Sequence, residues 1–304
     1  MIYTCTMNPA IDLFVAVDSL EPDVVNRTNA EDYQANGKAI NISIMLKRMG
    51  LANTALGFIG GFTGKYIENE LKQQGIDTRF IEVDGITRIN TFVRAQDKEY
   101  KIVNQGPIIP VEKKKELIYQ IKSIPTGSML FVSGSLPQGI SEEIFIEIAE
   151  IANHNELKLI LDISSKKLMD CLPYHPYLIK PNEEELANFF NKDTVGEEQV
   201  IELGKELLSM GSERVLISLG AEGSLYMSNQ DVIRVTAPKG EVVNTACAGD
   251  SLLSAFVGRL KLGASLDEAL RYASATGAST AFSMGLSDLA DVKQLMQEID
   301  VRHL

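Results

Sequence analysis

Short runs of β-branched and aliphatic residues, each followed by a longer amphipathic stretch, recur along this chain and constrain its fold more than any other feature. Residues 2–7, 54–59, 129–133, 157–162, 177–180 and 214–218 read as strands, and 39–49, 63–74, 141–153, 183–190 and 198–210 as helices between them. Strands that stay apolar without polar alternation are buried on both faces, and the helices between them serve as crossovers. The expectation is an α/β fold: a mostly parallel sheet flanked by helices. Two segments break the rhythm. Residues 12–35 and 88–105 are polar, roughly alternating and rich in strand formers such as Thr91-Phe92-Val93-Arg94. They read as antiparallel ribbons outside the main sheet, suited to a small β lid over its carboxyl edge, where open α/β sheets bind ligands. The predicted division is a nucleotide- and substrate-binding core of 1–11, 36–87 and 106–304, with 12–35 and 88–105 as the lid.

Composition narrows the function. With 41 acidic against 29 basic residues the chain carries a formal charge of −12, which argues against nucleic acid or an anionic membrane as partner. No apolar run reaches the roughly 18–20 residues of a membrane span, and the N-terminus lacks the pattern of a secretory leader, so a cytoplasmic location is expected. Cys5, Cys171 and Cys247 are odd in number and without metal-ligand spacing, and His154, His175 and His303 are too scattered for a zinc site. Gly64-Lys65 is trailed by Tyr66, so no phosphate-binding P-loop is present.

Four motifs carry candidate chemistry. In Asn244-Thr245-Ala246-Cys247-Ala248-Gly249-Asp250-Ser251, small residues precede a helix whose apolar positions are Leu252, Leu253, Phe256, Val257 and Leu260. Amides at such a helix start face an incoming anion, although Asp250 taken alone is as well read as a helix cap. Lys180-Pro181-Asn182-Glu183-Glu184-Glu185 opens another helix, where Asn182 and Glu185 either hold a hydrated Mg²⁺ or merely complement the helix dipole. Ser218-Leu219-Gly220-Ala221-Glu222-Gly223 follows a strand and suits either a nucleotide or an ordinary hairpin. Near the N-terminus, Asp12 and Asn41 offer hydrogen bonds to sugar hydroxyls, while Lys38, Arg88 and Asn90 offer donors to a phosphate; a solvated surface is the commoner fate of such cations.

These motifs, in their order, resemble the ribokinase-like carbohydrate kinases of the phosphofructokinase-B branch, over essentially the whole chain. Asn8-Pro9-Ala10-Ile11-Asp12, Ser133-Gly134-Ser135-Leu136-Pro137 and Ile179-Lys180-Pro181-Asn182 look closest to 1-phosphofructokinases and tagatose-6-phosphate kinases, and Thr87-Arg88-Ile89-Asn90 favours the fructose-1-phosphate members. The resemblance implies ATP- and Mg²⁺-dependent phosphorylation of a phosphosugar, expected as fructose 1-phosphate to fructose 1,6-bisphosphate, with tagatose 6-phosphate as the alternative. It implies Asp250 as general base, with the amides of Ala248, Gly249 and Asp250 around the transferred phosphoryl group and Cys247 counted with them in the catalytic motif. Asn182 and Glu185 would hold Mg²⁺ through water. Lys180, Asn182, Ser218, Gly220, Gly223, Thr276, Gly277 and Ser283 would line the nucleotide site. Asp12, Gly37, Lys38 and Asn41 would hold the sugar, and Arg88 and Asn90 its phosphate, with Lys38 and Arg88 answering the net negative charge at that end. A homodimer through the lid also fits the resemblance.

Two positions depart from the pattern. Asn36-Gly37-Lys38-Ala39 stands where such kinases write Gly-Gly-Lys-Gly, and Cys247-Ala248-Gly249-Asp250 where they write Gly-Ala-Gly-Asp. If position 247 needs a positive φ, cysteine costs roughly 1–2 kcal/mol relative to glycine. These departures motivate a rival from another class, a catalytically weak sugar-phosphate or nucleotide sensor.

Overall fold

The computed structural model of the chain describes residues 1–96 and 98–304. In chain order it runs through β1 (Ile2–Thr6), β2 (Ala10–Val17), β3 (Ala30–Asn36), α1 (Lys38–Arg48), β4 (Thr54–Ile59), α2 (Gly61–Gln73) and β5 (Asp77–Glu82). Then come β6 (Arg88–Ala95), β7 (Lys98–Ile102), α3 (Val111–Lys122), β8 (Met129–Ser133), α4 (Glu143–His154), β9 (Lys158–Asp162), α5 (Lys167–Cys171) and β10 (Leu178–Ile179). The remainder is α6 (Glu183–Phe189), α7 (Glu197–Ser209), β11 (Arg214–Ser218), β12 (Ser224–Ser228), β13 (Val232–Val235), α8 (Ala248–Lys261), α9 (Leu266–Ala281), α10 (Val292–Leu295) and β14 (Val301–His303).

The large sheet has the order β14-β13-β12-β11-β10-β9-β8-β1-β4-β5. From β5 to β11 every neighbouring pair is parallel; β12, β13 and β14 close one edge with antiparallel pairs. Alternate residues of each central strand feed two separate apolar layers. Leu130 and Val132 of β8 meet Leu117, Ile144 and Ile148 from α3 and α4. Met129 and Phe131 meet Leu253 and Phe256 of α8 on the opposite face. Two-sided burial is why these strands lack polar alternation. The α/β reading of the sequence thus holds, with a mostly parallel sheet flanked by helices and a second small sheet.

That second sheet has the order β3-β2-β6-β7. β2 with β3 and β6 with β7 are antiparallel ribbons, as their alternation suggested. The structure adds a junction that alternation does not show: β2 and β6 pair in parallel, from Ala10 with Arg88 to Val17 with Ala95. Phe14 and Phe92 stack across it with centroids 4.9 Å apart, a cross-strand aromatic pair that stabilises such a junction. Among the described residues no helix is long and apolar enough to cross a membrane.

Candidate active site

The carboxyl edge of the parallel strands gathers polar residues that the apolar strands deliver. Thr6 ends β1, Ser133 ends β8 and Asp162 ends β9, all three buried. Thr6 Oγ1, Ser133 Oγ and Asp162 Oδ2 are buried without a hydrogen-bond partner among the described residues. A buried polar atom without a partner is costly, so three on adjacent strand ends mark a place built to receive polar groups. Beside them opens a cleft of about 830 Å³ whose lining includes Thr6, Asp12, Asn36, Lys38, Arg88 and Ser135.

Asp162 organises the charge there, and sequence reasoning missed it. Its Oδ1 accepts from Lys38 Nζ at 3.0 Å and pairs with Lys180 Nζ at 3.3 Å. Burial alone would raise this carboxyl, but the Lys180 and Lys38 ammoniums hold it below the usual carboxylate range. Burial likewise opposes the charge of Lys38, yet the carboxylates of Asp162, Asp250 and Glu185 raise its pKa. The signal available in sequence was only an acidic residue closing an apolar run, Leu159-Ile160-Leu161-Asp162. Its lysine partners come from two distant segments.

Asp250 lies in the first turn of α8 and is 6% exposed. Its Oδ2 accepts from Asn41 Nδ2 at 2.8 Å. Burial, then the nearby Asp162 charge, push its carboxyl up to about 7, against the pull of Asn41, Lys38 and Lys180. The helix start is uncapped: Cys247 gives no side-chain hydrogen bond to the first turn, so the amides of Gly249 and Asp250 have no helical acceptor. A Cβ on Gly249 would lie 3.4 Å from Lys180 Nζ, which puts that ammonium beside these amides. Cys247 itself sits at φ 65°, the left-handed region that disfavours a side chain. The condition set for its cost is therefore met.

The sugar-side candidates assemble around Asp12, at the start of the small sheet. Asn90 Nδ2 donates to its Oδ1 at 2.8 Å and Asn36 Nδ2 donates to its Oδ2. Burial raises the Asp12 carboxyl, opposed by Asn90, Asn36 and the Arg88 charge. Gly37 has φ 134° and a Cβ there would meet Thr6 Cγ2 at 2.7 Å, so only glycine lets α1 start against β1. Arg88 donates from Nη2 to the Asn8 carbonyl at 2.8 Å and to Ser135 Oγ at 3.3 Å, and from Nη1 to the Asn104 carbonyl at 3.2 Å.

Several of the expected ligand-binding side chains are already engaged with one another. Lys38 lines the same cleft as Arg88, but its ammonium pairs with Asp162, beside Asp250. Asn90 lines the cleft beside Arg88, where its Nδ2 also holds Asp12 and its Oδ1 accepts from the Asn104 amide. The Asn41 Nδ2 faces Asp250, Asn36 Oδ1 at 2.9 Å and Cys247 Sγ at 3.1 Å, so its donor is directed at the base rather than at a hydroxyl.

The profile of the pfkB family carbohydrate kinases matches residues 4–292. A D-tagatose-1-phosphate kinase of Bacillus licheniformis is 59% identical over 305 residues, covering 100% of both chains. A 1-phosphofructokinase of Bacillus subtilis is 36% identical over 304 residues, again with 100% of both covered. The crystal structure of phosphofructokinase-2 from Escherichia coli in complex with fructose-6-phosphate superposes with a TM-score of 0.89, at 27% identity, over 97% of this chain and 98% of that one. This chain belongs to the pfkB family of carbohydrate kinases. It is accordingly a phosphotransferase with an alcohol group as acceptor, and the family uses ATP as the phosphoryl donor.

The nucleotide side of this pfkB kinase divides into residues near the strand ends and residues that are not. Ser218 pairs with Asn182 in an isolated bridge at the same edge, and its amide donates to the Pro181 carbonyl at 3.0 Å. Gly220 and Gly223 form the β11–β12 turn, and a Cβ on Gly223 would lie 2.1 Å from the Val235 carbonyl oxygen, so this glycine is required by the hairpin itself. Thr276 and Gly277 serve the packing of two helices. Both are buried within α9, Thr276 donates to the Tyr272 carbonyl, and a Cβ on Gly277 would lie 3.2 Å from the Ala248 carbonyl of α8. Both sit where α8 and α9 pack together, and neither lines the cleft beside Thr6. Ser283, past the end of α9, bonds back to the Ser279 carbonyl. Asn182 and Glu185 build a capping box: the Asn182 side chain accepts from the Glu185 amide and Glu185 accepts from the Asn182 amide. The structural role that the sequence left open at these two positions is therefore filled.

Proposed function

We propose that this kinase transfers the γ-phosphoryl group of ATP to the 6-hydroxyl of a D-ketohexose 1-phosphate, giving the 1,6-bisphosphate and ADP. The observation that carries the reading is Asp250: a buried carboxylate in an uncapped helix start, backed by the Lys38–Asp162–Lys180 group. The relatives at 59% and 36% identity are named for tagatose 1-phosphate and for 1-phosphofructokinase activity. Both names point to a sugar already phosphorylated at carbon 1, which favours a 1-phosphate over the 6-phosphate alternative. Between the two, the higher identity favours tagatose 1-phosphate over the fructose 1-phosphate expected from Thr87 to Asn90.

In the reaction the sugar O6 attacks the γ-phosphorus, the bond from that phosphorus to the β–γ bridging oxygen breaks, and ADP leaves. The O6 proton passes to the Asp250 carboxylate. Lys180, Lys38 and the amides of Gly249 and Asp250 meet the charge on the phosphoryl oxygens. Asp162 positions both lysines. Arg88, with Ser135, receives the existing phosphate at carbon 1, and the small sheet that carries Arg88 acts as a lid that excludes water.

The residues present fit Mg²⁺ only in a hydrated form. No group of three or more acidic, histidine or cysteine residues able to hold a metal occurs among the described residues. Glu185 uses one lone pair on each carboxylate oxygen, to the Asn182 amide and to Ser164 Oγ at 2.6 Å, leaving others for water. Asn182 and Glu185 would hold Mg²⁺ through water, and the ion would neutralise phosphate charge.

The test is a panel of D-tagatose 1-phosphate, D-fructose 1-phosphate, D-tagatose 6-phosphate and free D-fructose, followed by ADP release and ³¹P spectra of the product. The expected result is the highest kcat/KM on a 1-phosphate, with a new ester at carbon 6. Preferred use of a 6-phosphate overturns the substrate assignment, and binding without turnover returns the chain to the sensor reading.

A further inference from the structure

The two positions that depart from the kinase motifs meet in space. Asn36, the last residue of β3, reaches Cys247 Sγ with Nδ2 at 3.8 Å while the same amide nitrogen donates to Asp12. Its Oδ1 accepts from the Gly37 amide and from Asn41. Two donors and two acceptors are thus all engaged, and Asn36 keeps no polar atom free for a ligand. Asn41 Nδ2, with two hydrogens, faces Asn36, Cys247 and Asp250 together, so the thiol and the base compete for one donor. Burial, with the carboxylates of Asp250 and Asp12, pushes the Cys247 thiol up and keeps it protonated.

Phosphoryl transfer does not ask for either side chain. Cys247 holds a left-handed backbone at φ 65° where glycine would be unstrained, and Asp12 already has a donor in Asn90. Their joint effect is to place a carboxamide and a thiol between the Asp12 carboxylate and the Asp250 carboxylate. A strained side chain beside reacting groups points to a functional role.

Sugar stereochemistry supplies what is selected. The pyranose form of a ketohexose consumes O6 as its ring oxygen, so the form with a 6-hydroxyl free to react is the furanose or the open chain. In the D-furanose the 4-hydroxyl of the tagato epimer lies on the same ring face as the C6 arm, and that of the fructo epimer on the opposite face. Groups flanking the base therefore meet the one difference between the two sugars. We propose that Asn36 and Cys247 act as a coupled specificity pair that favours the tagato epimer at carbon 4. The proposal rests on the ketohexose 1-phosphate reading above. Asn36 acts through the position of Asp12 and through volume, and Cys247 offers a polarisable partner on the C6 side of the ring. With glycine at both positions the same-face hydroxyl loses that partner, while the opposite-face epimer gains room.

The test is a double-mutant cycle with Asn36→Gly and Cys247→Gly, reading kcat/KM for tagatose 1-phosphate and fructose 1-phosphate, with the KM for ATP as control. The double variant should move the tagatose-to-fructose ratio about tenfold or more toward fructose, a size usual for one hydroxyl contact. The two single changes should be non-multiplicative by about threefold or more. Asn36→Ser and Cys247→Ser, which keep polar side chains, give a second reading should a glycine variant not fold, with a smaller shift in the same direction. A ratio constant within about twofold, or single effects that simply multiply, overturns the pair. Wild-type protein that turns over neither epimer overturns the substrate reading and the pair together, an outcome distinct from an unchanged ratio.

Discussion

At the scale of single residues, the account turns on how burial and nearby charge set Asp250 apart from Asp162. Asp162 is held ionised by two ammoniums, while Asp250 is pushed up to about 7 by burial and by Asp162 itself. A base must be ionised to accept a proton, so kcat/KM should fall about tenfold per pH unit below about 7 and level off above it. A pH–rate profile from 5.5 to 9 on saturating ATP checks this, and a flat acid side contradicts it. The sign for stability follows from the same shift. A raised carboxyl contributes most below its unfolded pKa, and that contribution is lost as pH rises toward about 7. Asp250→Asn keeps the shape and the Asn41 contact but takes no proton. It should lower kcat by about 10²–10⁴-fold with ATP affinity unchanged within about twofold. Isothermal titration beside turnover separates the two effects, and a variant with a tenth of the wild-type kcat removes Asp250 from the role of base. Asp250, Lys38, Asp12 and Arg88 were each visible in sequence because each stands in a short motif with recognisable chemistry. Asp162 was not, because its meaning depends on Lys38 and Lys180 arriving from elsewhere in the chain.

At the scale of elements, what was legible followed apolar spacing. α8 announces itself by Leu252, Leu253, Phe256, Val257 and Leu260, all but the last buried. α9 packs against it yet carries Ala, Ser, Thr and Gly on the contact, so no apolar period marks it. α3 carries Lys113-Lys114-Lys115-Glu116 in its first half and buries only Leu117, Ile118 and Ile121. β5 alternates about a single buried residue, Ile81, at the sheet edge. Strands β12 to β14 turn antiparallel at the other edge, where pairing rather than composition decides direction. The parallel join of β2 and β6 was equally invisible, since it links segments on either side of α1 and α2. The start of α8 carries an element-scale prediction. Cys247→Gly removes a side chain from a left-handed position and should stabilise the fold by about 1–2 kcal/mol. Thermal unfolding should show a higher Tm. An unchanged or lower Tm would mean that the Asn41 contact to Sγ outweighs the backbone cost.

At the scale of the whole molecule, a chain of net charge −12 must, on the proposed reaction, hold two polyanions, a nucleotide and a phosphosugar. The positive charge it commits there is local and divided. Lys38 and Lys180 are bound up with Asp162 and Asp250 at the edge of the large sheet. Arg88 belongs to the small sheet but reaches the core at Asn8 and Ser135. A phosphate received at Arg88 therefore ties the small sheet to the core, and the binding energy of a group remote from the reacting hydroxyl assembles the site. An unphosphorylated ketohexose has no such tie, so water keeps access to the γ-phosphate. The central claim is that one phosphosugar spans the distance from Arg88 to Asp250, and the most direct measurement compares kcat/KM of wild type and Arg88→Ala on tagatose 1-phosphate and on free tagatose. The account predicts a loss of about 2–4 kcal/mol on the phosphosugar, as for a lost charge-assisted contact, and little change on the free sugar; equal losses on the two would contradict it.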